Sequence, residues 1–96
     1  MNILLLRLSS MGDLIHTLPA IEDLSKHRPD VRLDWMCEAG FADIARLHPF
    51  VQQVIPMRWR HWRKHLLQAE TKNEIMHLRN TLIGRDYRFC VDSQGL

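Results

Sequence analysis

Asn2-Ile3-Leu4-Leu5-Leu6-Arg7-Leu8, followed by Ser9-Ser10-Met11-Gly12-Asp13, is the stretch on which the fold turns. A short run that is apolar without alternation suits a strand buried on both faces, as in the parallel sheets of α/β proteins. The small and polar residues after it form a turn. Beyond the turn, Leu14, Leu18, Ile21 and Leu24 recur at helical spacing, so a helix follows from Leu14 and stops before Arg28-Pro29-Asp30. Pro19 either kinks this helix or lies in its first turn, with Thr17 then acting as the N-cap.

Further along, residues 31–37 alternate and then become continuously apolar, which predicts a second strand, and Glu38-Ala39-Gly40 turns the chain. Phe41, Ile44, Ala45 and His48 mark a short helix stopped by Pro49, and residues 51–55 form a third strand closed by Pro56. Trp59, Trp62 and Leu66 are spaced i, i+3, i+7, so a helix there puts the tryptophans on one stripe and Arg60, Arg63 and Lys64 on the next. Ile75, Leu78, Leu82 and Ile83 give another amphipathic helix ending near Gly84, and residues 87–91 a fourth strand before Asp92-Ser93-Gln94-Gly95-Leu96. The order β-α-β-α-β-α-β predicts an α/β fold: a Rossmann-like parallel sheet with the first strand central and helices on both faces. In such sheets sites lie outside the carboxyl ends of the strands. The turns after the first and fourth strands, bearing Asp13 and Gln94, are therefore expected at one edge. Four parallel strands with so little chain after the last leave apolar faces to be covered. The expectation is that residues 1–96 are an incomplete N-terminal domain, although no repeat or linker marks a boundary.

Ninety-six residues, 46% apolar and 25% charged, suit one small globular domain. The longest apolar run, residues 3–6, is far short of the roughly 20 residues of a spanning helix, so neither a transmembrane segment nor a signal peptide is expected. Cys37 and Cys90 stand apart without CxxC spacing and read as buried thiols in strands, which fits a reducing, cytoplasmic compartment. The net charge is only +2, but residues 57–68 hold Arg58, Arg60, Arg63 and Lys64 with no acid, leaving the rest of the chain net negative. That concentration predicts an anionic partner at one place and argues against nucleic acid.

The first turn lacks both the G-x-G-x-x-G of dinucleotide binders and the phosphate-loop pattern. Gly12 would let a ligand or a neighbouring backbone approach closely. Asp13 reads either as a partner of the positive helix end or as a general base able to take a proton from a hydroxyl nucleophile. His16 lies three residues on. The basic run with its tryptophans reads as a clamp for phosphate or carboxylate, as a membrane interface, or as a solvated face. His61 and His65 have a spacing that could hold a metal with a third ligand, but as surface histidines need none. A non-catalytic module that binds anionic lipid or phosphosugar through the basic helix is the alternative to an enzyme.

Several separated blocks in the right order narrow this choice. Residues 9–20, Asp34-Trp35 with Glu38 and Gly40-Phe41-Ala42, Val54-Ile55-Pro56 leading into Arg60 and Trp62-Arg63-Lys64, and residues 92–96 together closely resemble the lipopolysaccharide heptosyltransferase I family across essentially the whole chain. The resemblance implies the acceptor-side front of a GT-B fold, with the donor-binding domain absent and the isolated chain inactive. It makes Asp13 the catalytic base and Ser10, Met11, Gly12, Arg60, Arg63 and Lys64 the acceptor-binding residues. His16, Gln94 and Gly95 become candidates for lining the cleft. It further implies an inverting reaction with no cofactor and no metal, in which ADP-L-glycero-D-manno-heptose on the missing domain donates heptose to Kdo-lipid A. The protein would then work as a cytoplasmic enzyme, peripheral on the anionic cytoplasmic face of the inner membrane.

Overall fold

The computed structural model describes residues 1–8 and 11–92. Its elements run β1 (Asn2–Leu6), α1 (Met11–His27), β2 (Arg32–Glu38), a 3-10 turn (Ala39–Phe41), α2 (Ala42–Ala45), β3 (Val51–Met57), α3 (Trp59–Trp62), α4 (Ala69–Gly84) and β4 (Phe89–Asp92). The strands pair in parallel in the order β3-β2-β1-β4, so β1 and β2 are interior, as the apolar run of the first strand requires. Side chains alternate between two cores. Leu5, Leu33, Trp35 and Cys37 face α1 and α2 with Leu14, Ile21, Ala42 and Ala45. Leu4, Met36 and Ile55 face the other way, against Leu78 and Leu82 of α4 and Tyr87. Each Leu or Ile so buried contributes about 2 kcal/mol of hydrophobic stabilisation. Among the described residues no helix is long and apolar enough to cross a membrane.

Several local expectations are corrected. The first helix begins at Met11 and runs through Pro19 in its interior. Thr17 is therefore no N-cap; its hydroxyl donates to the Asp13 carbonyl one turn back at 2.8 Å. The second helix is a 3-10 turn followed by one α turn, ending before His48. β3 continues through Pro56 to Met57, which its edge position allows because an outward-facing nitrogen needs no ladder partner. Cys37 is buried as expected, but Cys90 is exposed, because β4 is an edge strand among the described residues.

The largest correction concerns the basic helix. It is a single turn, Trp59–Trp62, after which bonds from the Lys64 N–H to the His61 carbonyl and from the His65 N–H to the Trp62 carbonyl tighten the chain. The tryptophans do not share an environment: Trp62 is buried and Trp59 exposed. Trp62 is drawn inward because its indole N–H donates to Glu74 on α4, and the chain must turn to enter that helix.

Asp34 is buried on β2 facing α4, where its Oδ2 accepts the Tyr87 hydroxyl proton and a longer bond from Arg85 at 3.4 Å. This brace joins β2 to the entry of β4, beside Asp86, which has left-handed φ of 52°. Burial, and then the hydrogen bond to Asp34, push the Tyr87 hydroxyl above its ordinary pKa. A raised folded-state value means that the brace stabilises the fold fully below about pH 10, the ordinary tyrosine value, and loses that contribution as pH rises through the folded value. Tyr87→Phe should cost about 1–3 kcal/mol in urea denaturation at neutral pH, because it strips a buried carboxylate of a partner. Its stability should also fall less than that of the parent between neutral and strongly alkaline pH.

Candidate functional site

The carboxyl edge of the sheet is assembled by extending strand-like pairing beyond β1. The Arg7 N–H donates to the Met36 carbonyl at 3.2 Å, and the Glu38 N–H to the Leu8 carbonyl at 3.1 Å. The fully buried Trp35 adds its indole N–H to the Arg7 carbonyl at 3.1 Å. Arg7 is thereby fixed while its guanidinium reaches Asp13 at 3.2 Å. The Arg7 side chain is mostly buried, whereas that of Asp13 is 53% exposed, so the carboxylate is anchored from within and open from without. Arg7, Asp13 and His16 line, together with Ile3, Leu5 and Val91, a mostly apolar groove of about 490 Å³.

Met11 and Gly12 precede Asp13 in the first turn of α1, and both are exposed. A Cβ placed on Gly12 would meet nothing within 4 Å, so no neighbour among the described residues requires glycine there. β4 ends at Asp92 opposite Leu6, which puts its exit at the same edge as Asp13. Ser10, Gln94 and Gly95 lie outside the described residues.

The basic segment is tied to this edge by Glu38. One carboxylate oxygen accepts the Trp59 N–H and the other the Arg60 N–H, both at 3.2 Å, so the end of β2 holds the first turn of α3. The Arg60 guanidinium lies 5.7 Å from the centre of the Phe41 ring, a cation–π contact. Glu74 accepts from Arg58 at 2.7 Å as well as from Trp62, and the Trp62 bond first, then Arg58, holds its carboxyl below the ordinary glutamate range. Arg58 is thus neutralised, whereas among the described residues Arg60, Arg63 and Lys64 have no acidic partner. Arg60 lies in α3 and Arg63 caps its end, with Lys64 in the turn beyond; the three are close in the chain without sharing a regular helical stripe.

His61 and His65 pack ring to ring at 4.4 Å. No three His, Cys, Asp or Glu side chains are gathered for a metal among the described residues. Burial raises the Cys37 thiol to about 11, which makes it a poor nucleophile. Reading the sequence alone overlooked Arg7, Glu38 and Glu74 as functional supports. A charged residue directly after an interior apolar strand was the available signal for Arg7. Nothing in the spacing of Glu38 or Glu74 announced their partners.

No family model matches the chain. Lipopolysaccharide heptosyltransferase 1 of Pseudomonas aeruginosa is 44% identical over all 96 residues, which are 27% of its length. The protein of that name from Escherichia coli K12 is 42% identical over the whole chain, 30% of its own length. A solved structure of E. coli heptosyltransferase WaaC with ADP superposes with a TM-score of 0.93 at 42% identity, covering the whole chain and 30% of that protein. The chain thus spans under a third of the relatives it matches. In sequence and in fold, these residues are similar to the N-terminal part of the lipopolysaccharide heptosyltransferase 1 proteins.

Proposed function

We propose that this chain forms the acceptor side of an inverting glycosyltransferase that moves L-glycero-D-manno-heptose from ADP-heptose to Kdo-lipid A in building the lipopolysaccharide inner core. The observation that carries the reading is the Asp13 carboxylate, open to solvent at the carboxyl edge and held from behind by Arg7. Asp13 takes the proton from a Kdo hydroxyl as that oxygen bonds to the anomeric carbon of heptose. The bond from that carbon to the diphosphate breaks on the opposite face, and ADP leaves with the electron pair. A pinned carboxylate is suited to this work because a general base must be in hydrogen-bonding reach of one particular proton. Arg7 supplies that constraint without blocking the exposed side of the group.

Arg60, Arg63 and Lys64 recognise the phosphates and carboxylates of the acceptor, since their side chains have no acidic partner among the described residues to compete with a ligand. Gly12 leaves room for the acceptor at the start of α1. The donor binds residues beyond this stretch, and the 96 residues alone transfer no heptose. A solved structure of E. coli heptosyltransferase WaaC with ADP-2-deoxy-2-fluoro heptose supports a nucleotide-sugar donor. Because the acceptor is a lipid, the site works at the cytoplasmic face of the inner membrane.

In the complete protein, Asp13→Asn should lower kcat by more than about 100-fold, the scale of losing a general base, with the acceptor KM within a few-fold of the parent. Near-normal turnover would return Asp13 to its ion pair and its place near the helix end. Replacing Arg60, Arg63 and Lys64 together by alanine should raise the acceptor KM and leave the ADP-heptose KM unchanged. Parent acceptor binding should weaken as salt screens these charges, and a salt-independent affinity would count against the assignment. Gly12→Ala should fold as well as the parent or gain up to about 1 kcal/mol, because alanine favours the helix and the space is open. Its transfer rate should nonetheless fall; an unchanged rate would show that no substrate approaches Gly12.

A further inference from the structure

Between the buried Trp62 and the start of α4 the chain makes two tight turns, closed by bonds from the His65 N–H to the Trp62 carbonyl and from the Gln68 N–H to the His65 carbonyl. Both ends are anchored: Trp62 is held by Glu74, and Thr71 in the first turn of α4 is 1% exposed. Between these anchors two adjacent leucines point outward, Leu66 at 53% and Leu67 at 91% exposure. Leu67 is the most exposed of the large apolar side chains among the described residues. The leucine pair follows directly on Arg63, Lys64 and His65, and Trp59, also exposed, lies one turn upstream of Arg63.

A fixed turn that presents bare leucines beside cations lacking acidic partners matches two layers of one surface. Aliphatic side chains gain by leaving water for the acyl region, while arginine and lysine meet anionic headgroups just above it. Long basic side chains reach that level from a backbone lying deeper, and an indole is at home at the same boundary. An acidic protein partner would satisfy the cations but would need a matching apolar socket for two leucines at the tip of a turn. A bilayer accepts them without one.

We propose that Leu66 and Leu67 are the membrane-inserting tip of this protein, docking the carboxyl edge on an anionic phospholipid bilayer with Arg63 and Lys64 at headgroup depth. The choice of a bilayer as the partner rests in part on the lipid acceptor of the proposed function. In this arrangement the leucines serve the membrane and the neighbouring cations serve both surface and acceptor. Docking would deliver the site to a lipid-borne substrate without any spanning helix.

The test is co-sedimentation of the complete protein with vesicles of phosphatidylglycerol and phosphatidylethanolamine that contain no Kdo. Replacing Leu66 and Leu67 together by serine should weaken binding about tenfold or more, while thermal melting stays unchanged, as expected for side chains that this part of the fold leaves exposed. Leu67→Trp should retain binding, and parent protein should bind neutral phosphatidylcholine vesicles far less than anionic ones. The doubly substituted protein should transfer to a water-soluble, acyl-free Kdo acceptor at the parent rate. Undiminished vesicle binding by the serine variant would overturn the proposal. So would a raised KM for the soluble acceptor with vesicle binding intact, which would make the leucines part of the sugar site. If no transfer is found with any acceptor, the proposed function fails while the vesicle measurement still decides the membrane tip.

Discussion

The bond from the Trp35 indole to the Arg7 carbonyl joins the core of this protein to its working edge. β2 is the strand that makes this possible. Each of its residues from Leu33 to Cys37 is buried, so its position is fixed by packing on both faces of the sheet. Trp35 converts that fixed position into a fixed Arg7, and Arg7 converts it into a fixed Asp13. The last residue of the same strand, Glu38, does the equivalent for the basic segment through the backbone amides of Trp59 and Arg60. One interior strand therefore places both the carboxylate and the cations.

The second face of the sheet carries polar groups that serve a different end. Asp34 with Tyr87 and Arg85, and Glu74 with Trp62 and Arg58, are carboxylates that cross between elements and are paired on arrival. At the buried Asp34, taking one partner away costs more than the bond itself contributes, because the carboxylate is left with neither water nor that protein ligand. These pairs fix how α4 and the entry to β4 sit on the sheet. The contrast is with Arg60, Arg63 and Lys64, whose side chains have no acidic partner among the described residues and which the proposed function assigns to an anion.

In the proposed function, the ion pair at Asp13 holds the general base as well as the start of α1. An aspartate in the first turn of a helix is stabilised by the helix dipole whatever else it does. What separates Asp13 from an ordinary helix-end carboxylate is a mostly buried arginine held in turn by a buried indole. That investment of core residues in the orientation of one exposed side chain is the physical argument for chemistry at this position.

The sequence by itself determined the parallel α/β sheet. An unalternating run at residues 2–6 can be satisfied only by burial on both faces, and the helical spacing from Leu14 leaves one sort of connection between parallel strands. It also placed Asp13 at the carboxyl edge, because that follows from strand order alone. The groups around Asp13 were decided by tertiary structure. Arg7 and Trp35 are 28 residues apart, and Glu38 meets Arg60 across 22, so no local pattern could pair them. The basic helix failed for the same reason: periodicity favoured a longer helix, but the bond of Trp62 to Glu74 and the turn into α4 ended it after four residues. Local spacing fixes what an element can bury, whereas its length and partners depend on contacts that exist only once the strands have met.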